Sequence, residues 1–191
     1  MRAEREDDAR EDDTRETAHG TRPRPGTMSA MTTVRRATPA DLDAATALFG
    51  QYLRFYRREH APAAVRAFLA ARMDATDGVL LVAEVDETPV GLAHCYPTWS
   101  SLSLARAWVL NDLFVDPSAR GTGAGRALVR AAKAEAAAAG AVYVALETER
   151  TNVVGQTLYA SEGFVRDDEN LHYAAPVGDD VETASPAPFS G

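Results

Sequence analysis

A basic, glycine-rich turn is the segment of this sequence whose residues are best suited to bind an anion. It follows a hydrophobic run typical of a buried strand, which Asp116-Pro117 ends, and a helical pattern begins at about Ala124. A helix start presents backbone N–H groups without internal partners, and the helix macrodipole also favours negative charge there. Glycine lets a phosphate approach the backbone closely, and arginine adds charge. The turn consists of Arg120, Gly121, Thr122, Gly123, Ala124, Gly125 and Arg126.

Two common phosphate-binding loops do not match this turn. The P-loop requires Gly-Lys-Ser/Thr after its spacer, and no such triplet is present. The dinucleotide fingerprint G-x-G-x-x-G also fails, because after Gly121 and Gly123 the last glycine comes one place early, at Gly125, and Arg126 occupies its position. The glycines alone therefore leave two interpretations open: a phosphate site of another kind, or a tight strand-to-helix turn that binds nothing.

A second pattern, between Asn152 and Phe164, makes the first more specific. The glycine turn resembles the pyrophosphate loop Q/R-x-x-G-x-G/A of the GNAT N-acetyltransferases, which its first arginine and last two glycines match. The later segment resembles that family's N-x-x-A-x-x-L-Y-x-x-x-G-F pattern, with Gly155 where alanine is usual. Two motifs in the family's order and separation predict a GNAT domain over roughly residues 32 to 174.

The resemblance implies acetyl-CoA as the co-substrate and assigns residues to its parts. The glycine turn would hold the pyrophosphate, while backbone groups of Leu113, Phe114 and Val115 would pair with the pantetheine arm and polarise the thioester oxygen. Tyr159 matches the family tyrosine that protonates the CoA sulfur, and a phenol with a reference pKa near 10 can donate that proton at pH 7. Outside the motif, Tyr159 would be read as a packed tyrosine. Asn152 would contact the pantetheine, cap the helix that follows, or do both.

Two carboxylates are candidates for the general base that deprotonates the amine. Asp112 lies on the strand before the turn, and Glu147 lies near the end of the next strand. For each, a strand-end residue bonded to the backbone is the alternative, and many amines react through their small free-amine fraction without a base. The run 110–115 resembles the L-E-D-F-F-V of diamine acetyltransferases, but Asn111 replaces the first acid and puts polyamine specificity in doubt.

The acceptor pocket is predicted to lie between the first helices and the chain before the strand at 107. The segments 51–56 and 96–101 resemble a GNAT branch that includes the yeast histone, polyamine and D-amino-acid acetyltransferases. Aromatic residues at these positions would accept a cation by cation–π contact, although such a stripe is also typical of plain core. His94 and Cys95 are expected to be packed, because direct attack needs no nucleophile. The predicted acceptor residues are Tyr52, Tyr56, Tyr96, Trp99 and Asn111.

The elements that must position these residues alternate between strands and helices, which predicts an α/β fold. Their order, β-α-α-β-β-β-α-β-α-β-β, matches the GNAT fold: a mixed central sheet of about seven strands flanked by about four helices. A capping box at Thr38 begins the first helix, and Gly140 ends the long alanine-rich one. The chain from Pro97 to Arg106 is predicted to be a loop. The predicted strands are 33–36, 79–85, 89–96, 107–115, 141–147, 163–166 and 171–174.

Length, composition and charge bound the class of protein. The chain has 191 residues, 46% hydrophobic and 25% charged, which predicts one globular domain at 32–175. A disordered N-terminal tail is predicted at 1–31 and a loose C-terminal tail at 176–191. The net charge of −8 disfavours nucleic acid as a partner. Without a membrane-spanning run or a secretory signal, the expected location is the cytoplasm.

Together these observations predict an acetyl-CoA-dependent N-acetyltransferase that acts on a primary amine of a small molecule, polyamine or amino-acid-like, by direct attack. One cysteine and four scattered histidines predict no metal site. Members of the branch are commonly dimers, so a homodimer is expected. Two alternatives remain: a protein or peptide N-acetyltransferase, and a non-catalytic domain that binds acyl-CoA, against which the intact motifs speak.

Overall fold

A single mixed sheet with helices on both faces organises the protein. The computed structural model describes residues 31–74 and 77–175. The elements, in chain order, are β1 (Thr32–Arg36), α1 (Leu42–Phe55), α2 (Pro62–Asp74), β2 (Val79–Val85), β3 (Thr88–Ser100), β4 (Ala105–Val115), α3 (Ala124–Ala138), β5 (Ala141–Ala145) and α4 (Val153–Ser161). The sheet order is β1-β2-β3-β4-β5, with β1 to β4 antiparallel and β5 parallel to β4.

The two faces of the sheet carry separate hydrophobic cores. Successive side chains of a strand point to opposite faces, so Ala93 and Cys95 of β3 join the core under α3, together with Leu128. Leu92 of the same strand joins the core under α1 and α2, where Leu69 is fully buried. Because the two cores fill both faces of the sheet, a binding site is expected at the ends of the strands.

The start of α1 is fixed by the predicted capping box. The Asp41 carboxylate accepts hydrogen bonds from the backbone N–H and the hydroxyl of Thr38, at 2.7 and 2.8 Å. Arg35 of β1 binds both oxygens of Asp41 at 2.7 Å. This hydrogen bonding with Arg35 holds the pKa of Asp41 well below its usual range. The first helix is thereby tied to the first strand.

A bulge at Asn111 interrupts β4. Asp112 lies opposite His94 on β3 and Leu110 lies opposite Cys95, so Asn111 is the extra residue. The extra residue reverses the facing of the side chains beyond it. Leu110 belongs to the core under α3, whereas Phe114 belongs to the core under α1 and α2. The bulge therefore turns Asp112 toward α1.

The parallel strand β5 pairs with only the first half of β4. Arg106 pairs with Ala141 and Val109 pairs with Ala145, where β5 ends, but β4 continues to Val115. On the β5 side, the backbone of residues 110–115 consequently has no strand partner within the described chain. We call this region, together with residues 146–152 that follow β5, the open end of the β4–β5 pair.

The prediction of about seven strands was wrong, since the described residues form five. Residues 163–166 and 171–174 form no ladder, and their large apolar side chains Val165, Leu171 and Tyr173 are exposed. Asp167 instead closes a local turn by accepting the backbone N–H groups of Glu169 and Asn170. Strand-forming side chains predict an extended backbone, but a ladder also requires a partner edge, which this segment does not use.

The predicted loop from Pro97 to Arg106 is mostly a hairpin. β3 runs to Ser100 and β4 begins at Ala105, so the turn has only four residues. Proline argues against a strand because it cannot donate to a ladder. β2 pairs with β3 only as far as Cys95, however, so Pro97 lies where β3 has a strand on one side only and a missing N–H is tolerated.

The remaining helix boundaries agree with the sequence. α3 begins at Ala124 as predicted, and Gly140 follows it with a φ of 75°. The predicted tails lie outside the described residues, apart from Met31, whose backbone pairs with Asp86. In the part of the chain that the structure describes, no helix is long and apolar enough to cross a membrane.

Candidate active site

The glycine turn leaves open space in front of the N-terminus of α3. Gly121 and Gly123 have φ values of 84° and 91°, which favour glycine, and a Cβ added to either would meet nothing within 4 Å. Thr122 anchors the turn by donating its hydroxyl to the carbonyl of Ala119 at 2.7 Å. Ala127 is the residue that donates back to Gly123, so the N–H groups of the first helical turn point outward unused by the helix. The geometry suits an anion.

The two arginines of the turn differ in their surroundings. Arg120 is exposed beside the turn. Arg126 reaches α4, where it lies 3.3 Å from the Ser161 hydroxyl and 3.4 Å from the Glu162 carboxylate. Glu162 is almost fully buried and also binds Arg130 at 2.8 Å. Arg126 therefore helps to tie α4 to α3 as well as lining the turn.

The predicted pantetheine-binding residues lie along the open end of the β4–β5 pair. Phe114 is buried in the core under α1 and α2, while Leu113 and Val115 are half-buried on the other face. The side chains thus pack in the two cores, and only the backbone groups at the open edge are available to bind a ligand. A backbone without a strand partner can hydrogen-bond a ligand that takes the place of a strand.

Asn152 caps α4. Its Oδ1 accepts the backbone N–H of Gly155 at 3.0 Å, and its Nδ2 donates to the Thr148 hydroxyl at 2.9 Å. A Cβ on Gly155 would collide with Asn152 Nδ2, which gives a reason for glycine at that position. Of the two predicted roles for Asn152, the structure displays the cap.

Tyr159 of α4 is half-buried against the core under α3. Its ring packs against Phe164, with 5.9 Å between the ring centroids. Burial, with a smaller contribution from Tyr56, raises the pKa of Tyr159 to about 12. Tyr56 and Tyr159 both contribute to the raised pKa of Tyr52, so these three tyrosines lie near one another. The phenol is therefore protonated at neutral pH.

Asp112 is a buried carboxylate with several hydrogen-bond donors around it. It is 6% exposed, and Asn111 Nδ2 donates to its Oδ2 at 3.0 Å. The Tyr52 phenol hydrogen-bonds the carboxylate from α1. Burial, followed by the charge and hydrogen bond of Asp112, raises the pKa of Tyr52 far above its usual value. A carboxylate so placed can bind a cation or accept a proton.

Aromatic side chains from α1 surround this carboxylate. The Tyr52 ring lies 5.0 Å from that of Tyr56 and 6.3 Å from that of Phe114. Burial raises the pKa of Tyr56, with further contributions from Glu149 and Asp112. The predicted Tyr52 and Tyr56 are therefore brought together with Asp112 and Tyr159.

Two predicted site residues lie apart from this group. Glu147 is exposed and pairs with His172 at 2.8 Å. Trp99 is 71% exposed, and Arg106 lies 5.1 Å from its ring centroid. Because Trp99 is five residues beyond His94 on β3, it lies roughly 17 Å away along the strand. Of the predicted acceptor aromatics, Tyr52, Tyr56 and Tyr96 therefore lie near Asp112, whereas Trp99 does not.

Sequence reasoning missed one residue that the structure places beside Asp112, His94. His94 was expected to be packed core, and it is buried, but its Nδ1 lies 3.1 Å from the Tyr96 hydroxyl and 3.5 Å from Asp112 Oδ2. The available signal was the alternation along β3, which places His94 and Tyr96 on one face. The pairing with Asp112 was hidden because it depends on the bulge at Asn111.

The described chain combines a parallel strand pair open at one end, a helix start with unused N–H groups and a half-buried phenol, features typical of acyl-CoA N-acyltransferases. The chain belongs to the acetyltransferase (GNAT) family, whose model matches residues 45–164. It is 40% identical over 144 residues to the uncharacterized N-acetyltransferase YhfO of Bacillus subtilis (strain 168), covering 75% of this chain and 97% of that protein. The protein is accordingly an acetyl-CoA-dependent acetyltransferase.

Solved structures agree with this assignment. The crystal structure of a probable acetyltransferase is 35% identical, with a TM-score of 0.71, and the match covers 78% of this chain and 99% of that one. The aminoglycoside N-acetyltransferase AAC(6')-Iy, solved in complex with CoA, is 20% identical with a TM-score of 0.66, over 81% of this chain and 99% of that one. The second similarity shows the shared fold.

Proposed function

We propose that this enzyme acetylates the primary amine of a small molecule, with Asp112 receiving the amine. The observation that carries the proposal is the buried carboxylate beside the open end of the β4–β5 pair, surrounded by Tyr52 and Tyr56. A carboxylate removed from water attracts an ammonium group more strongly than an exposed one. Aromatic faces add cation–π attraction. A small cationic amine fits these properties.

The donor would bind along the open end of the β4–β5 pair. The N–H groups at the start of α3 and the exposed Arg120 would hold the pyrophosphate, and the open space at Gly121 and Gly123 leaves room for it. The unpaired backbone around Leu113 and Val115 would hydrogen-bond the pantetheine arm, as a strand would. A backbone N–H in this stretch would also polarise the thioester carbonyl.

The chemistry requires one bond to form and one to break. The bound ammonium gives a proton to Asp112, and the neutral nitrogen then attacks the thioester carbon directly, forming the C–N bond while the C–S bond breaks. Tyr159 gives its proton to the departing thiolate. The second proton shed by the nitrogen returns to the phenol through solvent, and Asp112 releases its proton to water, which restores the enzyme. Glu147 lies apart from the tyrosine and Asp112 group, so Asp112 is the base that we favour.

Replacing Tyr159 with phenylalanine tests the acid role. Because the variant lacks the proton donor but keeps the ring packed on Phe164, we expect kcat to fall about 100-fold with acetyl-CoA affinity nearly unchanged. A thiol-release assay measures kcat, and calorimetry measures acetyl-CoA binding. The matched control is Tyr143→Phe on the exposed face of β5, for which no change is expected. Unchanged kcat in Tyr159→Phe would remove Tyr159 from this role.

A screen of acceptors tests the substrate class. Acetyl-CoA is offered with polyamines, amino acids of both hands, lysine peptides and aminoglycosides, the last because the fold is shared with an aminoglycoside acetyltransferase. CoA release with small amines and not with peptides supports the proposal. Turnover of peptides alone would favour a protein acetyltransferase. Acetyl-CoA binding with no turnover of any amine would favour a non-catalytic domain.

A further inference from the structure

His94 is a fully buried histidine that the mechanism above does not use. It lies on β3 directly opposite Asp112, and only 1% of it is exposed. One ring nitrogen, Nδ1, is 3.1 Å from the Tyr96 hydroxyl and 3.5 Å from Asp112 Oδ2. The other, Nε2, is buried and has no hydrogen-bond partner among the residues that the structure describes. The ring is therefore polar on one edge and faces apolar surroundings on the other.

We infer that His94 is a positioning residue, which carries its proton on Nδ1 and directs it at Asp112 to orient that carboxylate for the amine. The inference rests on the proposed function only in assigning the amine to Asp112. The surroundings of the ring select the tautomer. Nε2 lies near Gly78, and the Phe68 ring packs edge-on to the imidazole at 6.3 Å. A buried N–H without an acceptor loses its hydrogen bonds to water and gains none in return, so the Nε2–H tautomer is disfavoured.

The carboxylate is anchored through one of its two oxygens. Asn111 Nδ2 donates to Oδ2 at 3.0 Å, and His94 Nδ1 approaches the same oxygen from the opposite strand at 3.5 Å. The Asn111 hydrogen bond and the dipole of an Nδ1–H group facing the same oxygen both resist rotation of the carboxylate. Oδ1 is consequently held in a fixed direction, available to an ammonium group that enters beside Tyr52.

The charged and titratable groups around His94 come from every element packed against it. β4 contributes Asp112, β3 contributes Tyr96, and α1 contributes Tyr52 through its bond to Asp112. α2 contributes Arg72, whose guanidinium lies 6.0 Å from the Phe68 ring and is paired with Asp77 at 3.1 Å. Asp77 is paired with Arg72, whereas Asp112 faces the imidazole of His94.

A pair of substitutions separates positioning from packing. His94→Asn keeps an N–H donor near the place of Nδ1, whereas His94→Leu keeps the volume and removes the donor. We expect kcat/KM for the amine to fall about 10-fold in His94→Leu, because the 3.5 Å contact with Asp112 is weaker than a full hydrogen bond to a charged group. His94→Asn should recover most of that loss. Acetyl-CoA affinity should stay the same in both, because the donor would bind on the far side of β4.

The ring nitrogens report the same inference without any turnover. Nitrogen-15 NMR of the wild-type protein should show His94 protonated at Nδ1 and bare at Nε2, and the Nδ1 signal should move in Asp112→Asn. An Nε2-protonated ring, or an His94→Asn variant as impaired as a folded His94→Leu, would overturn the inference. If His94→Leu fails to fold, the tautomer measured by NMR in the wild-type protein decides whether the inference stands. A wild type that acetylates no amine but shows the expected tautomer rejects the proposed function alone.

Discussion

At the scale of single residues, burial sets the protonation of the tyrosines in the site. Burial raises the pKa values of Tyr96 and Tyr159 to about 12, two units above an ordinary phenol. A phenol that stays protonated at physiological pH is uncharged, so it does not compete with Asp112 for the ammonium group. Burial thus keeps these phenols neutral, which leaves the binding of the ammonium group to the carboxylate of Asp112.

Replacing Gly155 with alanine tests the cap that Asn152 makes on α4. A Cβ there would collide with the amide of Asn152 and displace it from its cap, which costs about 1 kcal/mol, while alanine gains up to about 1 kcal/mol in a helix. We expect Gly155→Ala to stabilise the protein more in an Asn152→Ala background than in the wild type. Urea unfolding of the four proteins measures this coupling. Equal effects in both backgrounds would show that no collision occurs.

At the scale of elements, the contact between α3 and α4 holds the candidate acid in place. Glu162, which follows α4, receives Arg130 at 2.8 Å and Arg126 at 3.4 Å, and its own carbonyl accepts Lys133 at 2.7 Å. All three cations belong to α3, whose first turn would hold the donor. These hydrogen bonds and charges, Arg130 first, lower the pKa of Glu162. One carboxylate thus aligns the helix of Tyr159 with the helix of the glycine turn.

Removing the charge of Glu162 should loosen this contact. In Glu162→Gln we expect kcat to fall while acetyl-CoA affinity changes little, because Tyr159 moves more than the turn does. Glu135→Gln is the matched control, since Glu135 also pairs with an arginine, Arg36, but at the other end of α3. Steady-state kinetics and calorimetry measure both variants. A loss of kcat in the Glu135 variant of the same size would point to general destabilisation of α3.

At the scale of the whole molecule, an ion pair links the first strand to the first helix. Because Arg35 depresses the pKa of Asp41 in the folded state, the stabilisation is fully present above the unfolded value near pH 4 and is lost as the pH falls below it. Asp41→Asn should therefore lower the free energy of unfolding by about 2 kcal/mol at pH 7 and progressively less below pH 4. Urea unfolding across pH measures this. Asp43→Asn, an exposed neighbour, is the control, and a pH-independent difference would contradict the assignment.

How much of the fold follows from the sequence depends on whether the signal is local. Local patterns predict α3, because the signals for its start near Ala124 and its end near Gly140 each lie within a few neighbouring residues. The capping box at Thr38 is predicted in the same way. They fail at 163–166 and 171–174, where strand formation depends on a distant edge. Tyr159 and the glycine turn were found as motifs. The contact of His94 with Asp112 was not, because one extra residue, Asn111, sets the register between two strands.

The chain has one cysteine, Cys95, and its position has a practical consequence. The thiol is completely buried under α3, and burial raises its pKa to about 12, so thiolate-selective reagents find no reactive group on the folded enzyme. A colorimetric thiol reagent would then count released CoA alone. A cysteine introduced on the exposed β3–β4 turn, as in Ser103→Cys, would also be the single attachment point for a fluorescent or spin label.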